Sequence, residues 1–433
     1  MTEMLTNWAG NVRFSARQAR RPASVAELQR LVAASPRVRA LGTGHSFSPI
    51  ADTPGALISV AGLPKIIEID ASRPGVTVSA GLTYGELAAE LHKQGYALRN
   101  LASLPQISVA GACATATHGS GNLIGNLATA VNRIEMVTAQ GDLLTLSRPD
   151  SAEEFGGAVV ALGSLGIITS LGLDLVPAFD LRQYVYEDVP LDQAIASLDE
   201  IFAAAYSVSL FTDWRRPVIR QVWLKQLAGP RGGERTAVRG RPGAGSGWHS
   251  GTPADGPRHP VPGLPPAATT AQLGARGPWH ERLPHFRPGF TPSAGTELQS
   301  EYLLPRERAR EALEAIARIS DVVAAVLQIC EIRTVAADEL WLSPSYRRDT
   351  IGLHFTWVAD ARAVMEVLTL VERQLAPLRP RPHWGKLFAA GPDVLDRCYD
   401  RLPDFRRLMY RYDPSGKFRN DFIDSCLGTG PGR

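Results

Sequence analysis

The chain has 433 residues, with 46 Lys and Arg against 43 Asp and Glu and a hydrophobic fraction of 44%. That length predicts two or three domains, and a net charge of only +3 excludes the basic footprint of a nucleic-acid binder. No run of about 18 apolar residues occurs, so no membrane-spanning helix is expected. Met1 to Trp8 carry no basic head followed by an apolar run, so no secretory leader is expected. Cys113, Cys330, Cys398 and Cys426 are scattered without metal-ligand spacing and read as reduced thiols of a cytoplasmic protein.

From the N-terminus, Ser24-Val25-Ala26-Glu27 is a capping-box pattern that opens a helix through Leu28, Leu31 and Val32. A short strand follows at Arg37 to Leu41. Lys65 to Asp70 and Val76 to Ala80 alternate with period two around Arg73-Pro74-Gly75, which predicts a hairpin. Thr83 to Glu86 opens a second helix that Gly95 ends. A second hairpin is predicted from Asn132 to Ser147, then a helix near Ser151 to Leu162 and a strand near Ile167 to Val176. Short strands mixed with helices indicate an α+β fold.

Between Gly229 and Pro278, 21 of 50 residues are Gly or Pro. This composition predicts a surface insertion without regular structure, and trimming Gly229 to Gly256 is expected to leave function intact. Regular structure is expected to resume at Gly295: a strand at Glu297 to Leu304, a helix at Arg306 to Ile319, strands at Ala325 to Val335 and Thr350 to Val358, and a helix at Ala361 to Leu375. This order suggests an antiparallel sheet with helices on one face.

Three groups of residues could carry chemistry. Gly42-Thr43-Gly44-His45-Ser46 follows a strand, and two glycines at that spacing let backbone N–H groups approach an anion. It lacks the third glycine of a dinucleotide fingerprint and the Lys of a P-loop. The run from Ser103 to Gly121, with Ser108, Gly111, Thr115, Thr117 and His118, contains no Lys, Asp or Glu. Its small side chains would let a bulky ligand lie along the backbone. Finally, Glu331 and Arg333 share one face of a predicted strand, and His354 and Thr356 share one face of the next. Two polar pairs among apolar neighbours suggest a common pocket, with His383 and Lys386 close by in sequence.

On Gly42 to Ser46, Ala110 to Gly121, Cys330 to Val335 and Arg381 to Lys386, the chain resembles the FAD-linked oxidases of the vanillyl-alcohol oxidase type and, among them, the alditol oxidases. The resemblance runs from Asn7 to Phe418 and lapses between about Leu227 and Pro257. It implies a two-domain fold: an FAD-binding domain at 1–178, a substrate (cap) domain with an antiparallel sheet at 179–387, and a segment at 388–433 that returns to the first domain. It also implies FAD held covalently through His45. Other cofactor contacts would come from Gly42, Thr43, Gly44, Ser46, Ser108, Gly111, Thr115, Thr117, His118, Ile168 and His383. Ser103, Glu331, Arg333, Thr356 and Lys386 would hold the substrate, with His354 beside them; Lys386, His354, Arg333 and Glu331 would be catalytic. The implied reaction oxidises the terminal alcohol of xylitol or sorbitol and reduces O2 to H2O2. The Glu331-x-Arg333 and His383-Trp384-x-Lys386 motifs also occur in aldonolactone oxidases and dehydrogenases, which is the alternative. No metal is implied, and a monomer is expected.

Overall fold

The computed structural model describes residues 5–70, 72, 74–229, 251–289 and 297–428. Arg73 of the first hairpin turn, Gly295, and residues 230–250 of the Gly/Pro-rich segment lie outside them.

Local signals set the N-terminal elements. Ser24 caps the Val25–Ala34 helix by accepting from the Glu27 N–H, while the Glu27 carboxylate reaches back to the Ala23 N–H at 2.8 Å. Thr83 and Glu86 form the full reciprocal box at the start of Tyr84–Lys93. The two predicted hairpins are present, Ile67–Asp70 with Gly75–Ser79 and Val131–Val137 with Leu143–Ser147, and both join a five-stranded antiparallel sheet around Ile167–Asp174. A small parallel sheet of Ala19–Arg20, Ala56–Ile58 and Val38–Ala40 lies alongside in sequence. The chain end returns to this region. Lys417 Nζ donates to Val32 O and Ala139 O, and Asn420 Nδ2 donates to Asp52 O at 2.8 Å.

The second large sheet has nine strands, every pair antiparallel. Its centre is Leu327–Val335, Thr350–Val358 and Glu297–Pro305, side by side. Leu353, Phe355 and Trp357 point to one face, where they pack with Leu313, Ile316, Leu368 and Val371 of the covering helices. Glu301, Glu331, Arg333, His354 and Thr356 alternate with them and face the other way. Both faces are covered, the apolar one by helices and the polar one around a cleft.

Within the small-residue run, Val109–Ala114 is a short helix; alanines favour helix, and small side chains let it pack closely. One expectation is corrected: the Gly/Pro-rich segment is not a structureless insertion. Thr252–Pro253 pairs with Glu187 and Tyr186, Arg276–Pro278 pairs with Asp180 to Arg182, and Arg258 makes a bidentate pair with Glu187 at 2.8 Å. Proline is compatible with these edge positions because it need not donate to a ladder. Trimming to Gly256 would therefore remove sheet contacts.

Only residues 230–250 remain candidates for removal, and the geometry limits how. The strand leaves the sheet at Ala228, opposite Asp180, and the chain re-enters at Thr252, opposite Glu187. Seven residues of strand separate those points, about 23 Å. A linker of about ten residues replacing 230–250 is expected to keep flavin content and turnover within about twofold of native. Joining Gly229 directly to Gly251 leaves three residue steps, about 11 Å at most, which cannot span the gap, and loss of soluble protein is the expected result; a fully active direct-join variant would show the register to be wrong.

Candidate active site

The polar faces of the three central strands meet one cleft. Its empty volume is about 2100 Å3, the open mouth included. All the site residues expected from sequence line it, the Gly42–Ser46 loop and Lys386 among them.

Register builds the catalytic end. Glu331 and Glu301 are both direct cross-strand neighbours of His354, so the three form one row across the sheet. Arg333 lies opposite Gly352. A Cβ at Gly352 would stand 3.3 Å from Glu301 Oε1 and 3.7 Å from His118 Cε1. The missing side chain lets Arg333 cross over that strand, and its Nη2 donates to Glu301 Oε1 at 2.6 Å. Lys386 Nζ donates to Glu301 Oε2 at 2.7 Å. His118 Nε2 sits 3.2 Å from Glu301 Oε1, off hydrogen-bond alignment.

Glu301, 1% exposed, is thus the common partner of two cations and an imidazole. Burial disfavours its charge, but Arg333, Lys386 and His118 outweigh that and hold it well below the usual carboxylate range. Glu331 is held low in the same way, against burial, by Arg333 and His285. Burial lowers the Lys386 ammonium, with Glu301 opposing. Burial and then Lys386 push His354 down to about 4, so this ring is neutral at physiological pH. His354 Nδ1 lies 3.4 Å from Arg333 Nη2, which can only donate, and 3.6 Å from Glu331 Oε2, which can only accept, so either neutral tautomer has a partner there. Among the described residues, His354 Nε2 and Arg333 Nε have no hydrogen-bond partner, which marks this end of the cleft as built for a polar ligand.

The other end is lined by small residues. The Ser108 N–H donates to Thr43 Oγ1 at 3.2 Å, joining the two glycine-bearing segments. A Cβ at Gly42 would collide with Ser108 Oγ, and one at Gly111 would lie 2.7 Å from the same atom. Glycine at both positions leaves room for the Ser108 hydroxyl between the two segments. His45 stacks on Trp8, with ring centroids 5.4 Å apart and planes 18° apart, and its Nδ1 is 3.0 Å from Thr43 Oγ1. Burial lowers its pKa, the Thr43 hydrogen bond opposing, so the ring is neutral.

Residues 16–147 match the family model described as FAD binding domain, and residues 296–426 match the one described as D-arabinono-1,4-lactone oxidase. Over 99% of this chain and 100% of that protein, the sequence is 48% identical to alditol oxidase from Streptomyces sp..

The chain belongs to the alditol oxidase family.

It is an FAD-linked oxidoreductase of the vanillyl-alcohol oxidase type. L-gulono-1,4-lactone dehydrogenase from Mycobacterium tuberculosis is 29% identical over 99% of this chain and 100% of its own length. L-gulonolactone oxidase from Bos taurus is 25% identical over 97% of each. Among solved structures, cholesterol oxidase from B. sterolicum superposes with a TM-score of 0.72 at 16% identity, covering 98% of this chain and 96% of that one. A solvent-stable cholesterol oxidase gives 0.75 at 17%, covering 99% and 98%. These two share the fold.

The cleft fits FAD in its chemistry: a long small-residue wall with exposed backbone donors and hydroxyls at one end, and a neutral imidazole at its edge. Among the described residues, no cluster fit to hold a metal ion occurs and no helix is long and apolar enough to cross a membrane. Four site residues escaped the sequence reading: Glu301, His285, Gln299 and Trp8. Glu297, Gln299 and Glu301 are polar at every second position of an otherwise apolar strand, so that signal was present. His285 carried none, because no periodic pattern surrounds it.

Proposed function

We propose that the protein oxidises the terminal primary alcohol of an alditol such as xylitol or sorbitol to the aldose, with O2 reduced to H2O2. The observation that carries this reading is the cross-strand row Glu331–His354–Glu301, flanked by Arg333, Thr356, Ser103 and Lys386, in one cleft with the glycine-lined wall. Residues 1–178 with the chain end would hold the cofactor, and 179–387 would present the substrate groups. Bound FAD would supply the hydride acceptor.

The residues then divide the remaining work. Glu331 accepts from one substrate hydroxyl, and Arg333 donates to its neighbour through the free Nε. Ser103 and Thr356 contact hydroxyls further along the chain. A vicinal polyol satisfies these groups together, whereas a simple alcohol leaves buried polar atoms unpaired, at about 1–3 kcal/mol each. The Lys386 ammonium and the His354 imidazole face the oxygen that gains charge, and water takes the proton. The match to the D-arabinono-1,4-lactone oxidase model favours a second reading, oxidation of an aldonolactone. A peroxide-coupled assay with xylitol, sorbitol and a 1,4-lactone decides between them. Peroxide from the lactone alone would sink the first reading.

The cofactor link is part of the proposal. His45 is neutral and sits at the rim of the cleft, as a ring nitrogen bonded to the flavin 8α-carbon requires. Native protein is expected to keep its yellow colour in the pellet after acid precipitation. His45→Ala should fold, bind FAD and release it to the supernatant, while a His118→Ala pellet should stay yellow. Colourless native pellets would refute the link.

A further inference from the structure

Behind Glu331 lies a second row of buried groups that the proposed reaction does not use. His285 Nε2 is 2.7 Å from Glu331 Oε1. On the far side of the ring, Lys225 Nζ is 3.1 Å from Nδ1, and it donates also to Leu283 O and, at 3.4 Å, to Pro284 O. Lys225 is 1% exposed and His285 and Glu331 5% each. Lys225 does not line the cleft. Burial lowers its pKa to about 7, and below that pH it is a buried ammonium with no carboxylate in direct contact among the described residues.

The hydrogen-bond count explains the arrangement. An ammonium has three donors and no acceptor, and here it meets two carbonyls and one ring nitrogen. Below about pH 7, where Lys225 carries its proton, His285 Nδ1 is therefore the lone pair and the ring hydrogen lies on Nε2, where it donates to Glu331. Burial and then Lys225 push His285 down to about 4, so the ring is neutral. Its plane is held edge-on to Phe211, at 5.6 Å and 67°, and to Trp223, at 5.1 Å and 75°. The backbone is held too: the His285 N–H donates to Ser103 O at 3.2 Å, and the Thr270 N–H donates to His285 O at 2.9 Å.

We propose that Lys225 is a positioning residue for substrate: through the tautomer of His285 it holds one Glu331 oxygen away from the cleft and leaves the other as an acceptor for a substrate hydroxyl. This rests on the alditol reading of the cleft. The alternative tautomer would set a ring lone pair against the carboxylate, and Glu331 would swing or take up a proton.

The first test needs no substitution. In protein labelled with 15N-histidine, and with the His285→Gln spectrum as assignment, the His285 signal at pH 6 should be that of a neutral ring protonated at Nε2. An imidazolium, or the Nδ1-protonated form, overturns the proposal whatever the enzyme oxidises. The second test uses activity. Lys225→Met should leave both tautomers populated and raise KM for the best alditol about tenfold, with kcat reduced less than about threefold. His285→Gln places an amide N–H where Nε2–H was and cannot change tautomer. In that background Lys225→Met should cost less than about twofold further. Equal losses in both backgrounds would mean that Lys225 only supports the fold, and the proposal fails. If native protein oxidises no alditol while the spectrum shows the Nε2–H ring, the substrate reading fails and the tautomer assignment stands.

Discussion

Glu301→Gln is expected to lower kcat by about a thousandfold while leaving flavin bound, the largest single loss at this site. The substitution keeps shape and removes one charge. Arg333 and Lys386 both donate to this carboxylate, at 2.6 and 2.7 Å. An amide would turn a donor toward one of them and leave two buried cations sharing only Glu331. Breaking one partner of a buried pair typically costs about 3–5 kcal/mol, so a lower melting temperature is expected as well. The Lys386 ammonium, already lowered by burial, would lose its chief stabilising neighbour and shed its proton at lower pH. Flavin-reduction rates in a stopped-flow instrument, at saturating alditol, read the effect directly. Turnover within tenfold of native would show that Glu301 is a structural carboxylate and not the organiser of the site.

Lys386→Met and Arg333→Ala are expected to fail in different ways. Lys386 faces the oxygen that gains charge, so its loss should cut flavin reduction at saturating substrate by about a hundredfold or more, with a smaller change in KM. The native rate should fall as pH rises through the Lys386 pKa. The protonated form is the active one, and burial places that pKa below the usual 10.5. Lys386→Met should lack this alkaline limb. Arg333 holds a neighbouring hydroxyl, so its loss should raise KM and lower kcat together, and should harm polyols more than simple alcohols. It also pairs with Glu301 and lies 3.7 Å from Glu331, so Arg333→Lys is the variant that separates binding from folding. If both single variants reduce flavin at the native rate, the cleft residues have been given the wrong roles.

Much of the N-terminal half was readable because its signals are short. Thr83 and Glu86 are three residues apart, and the hairpin strands are joined by turns of a few residues. Periodicity also showed that Glu331 with Arg333, and His354 with Thr356, share faces. The error came where composition was read as a substitute for position. Gly and Pro in 251–278 suit edge strands and tight turns against the sheet, and there they build one wall of the cleft, through His259 to Val261 and Leu264.

The sequence by itself determined the class, the alternating faces and the motifs that tie this chain to flavin oxidases, since each depends on residues within a few positions of one another. What only the tertiary structure decided is which side chains meet. Glu301 reaches Arg333 from 32 residues away and Lys386 from 85, and His285 reaches Glu331 from 46. Those meetings follow from strand register and from the bare backbone at Gly352. Register is a cooperative property of the whole sheet, because a shift of one residue would turn every polar side chain from the cleft into the apolar core.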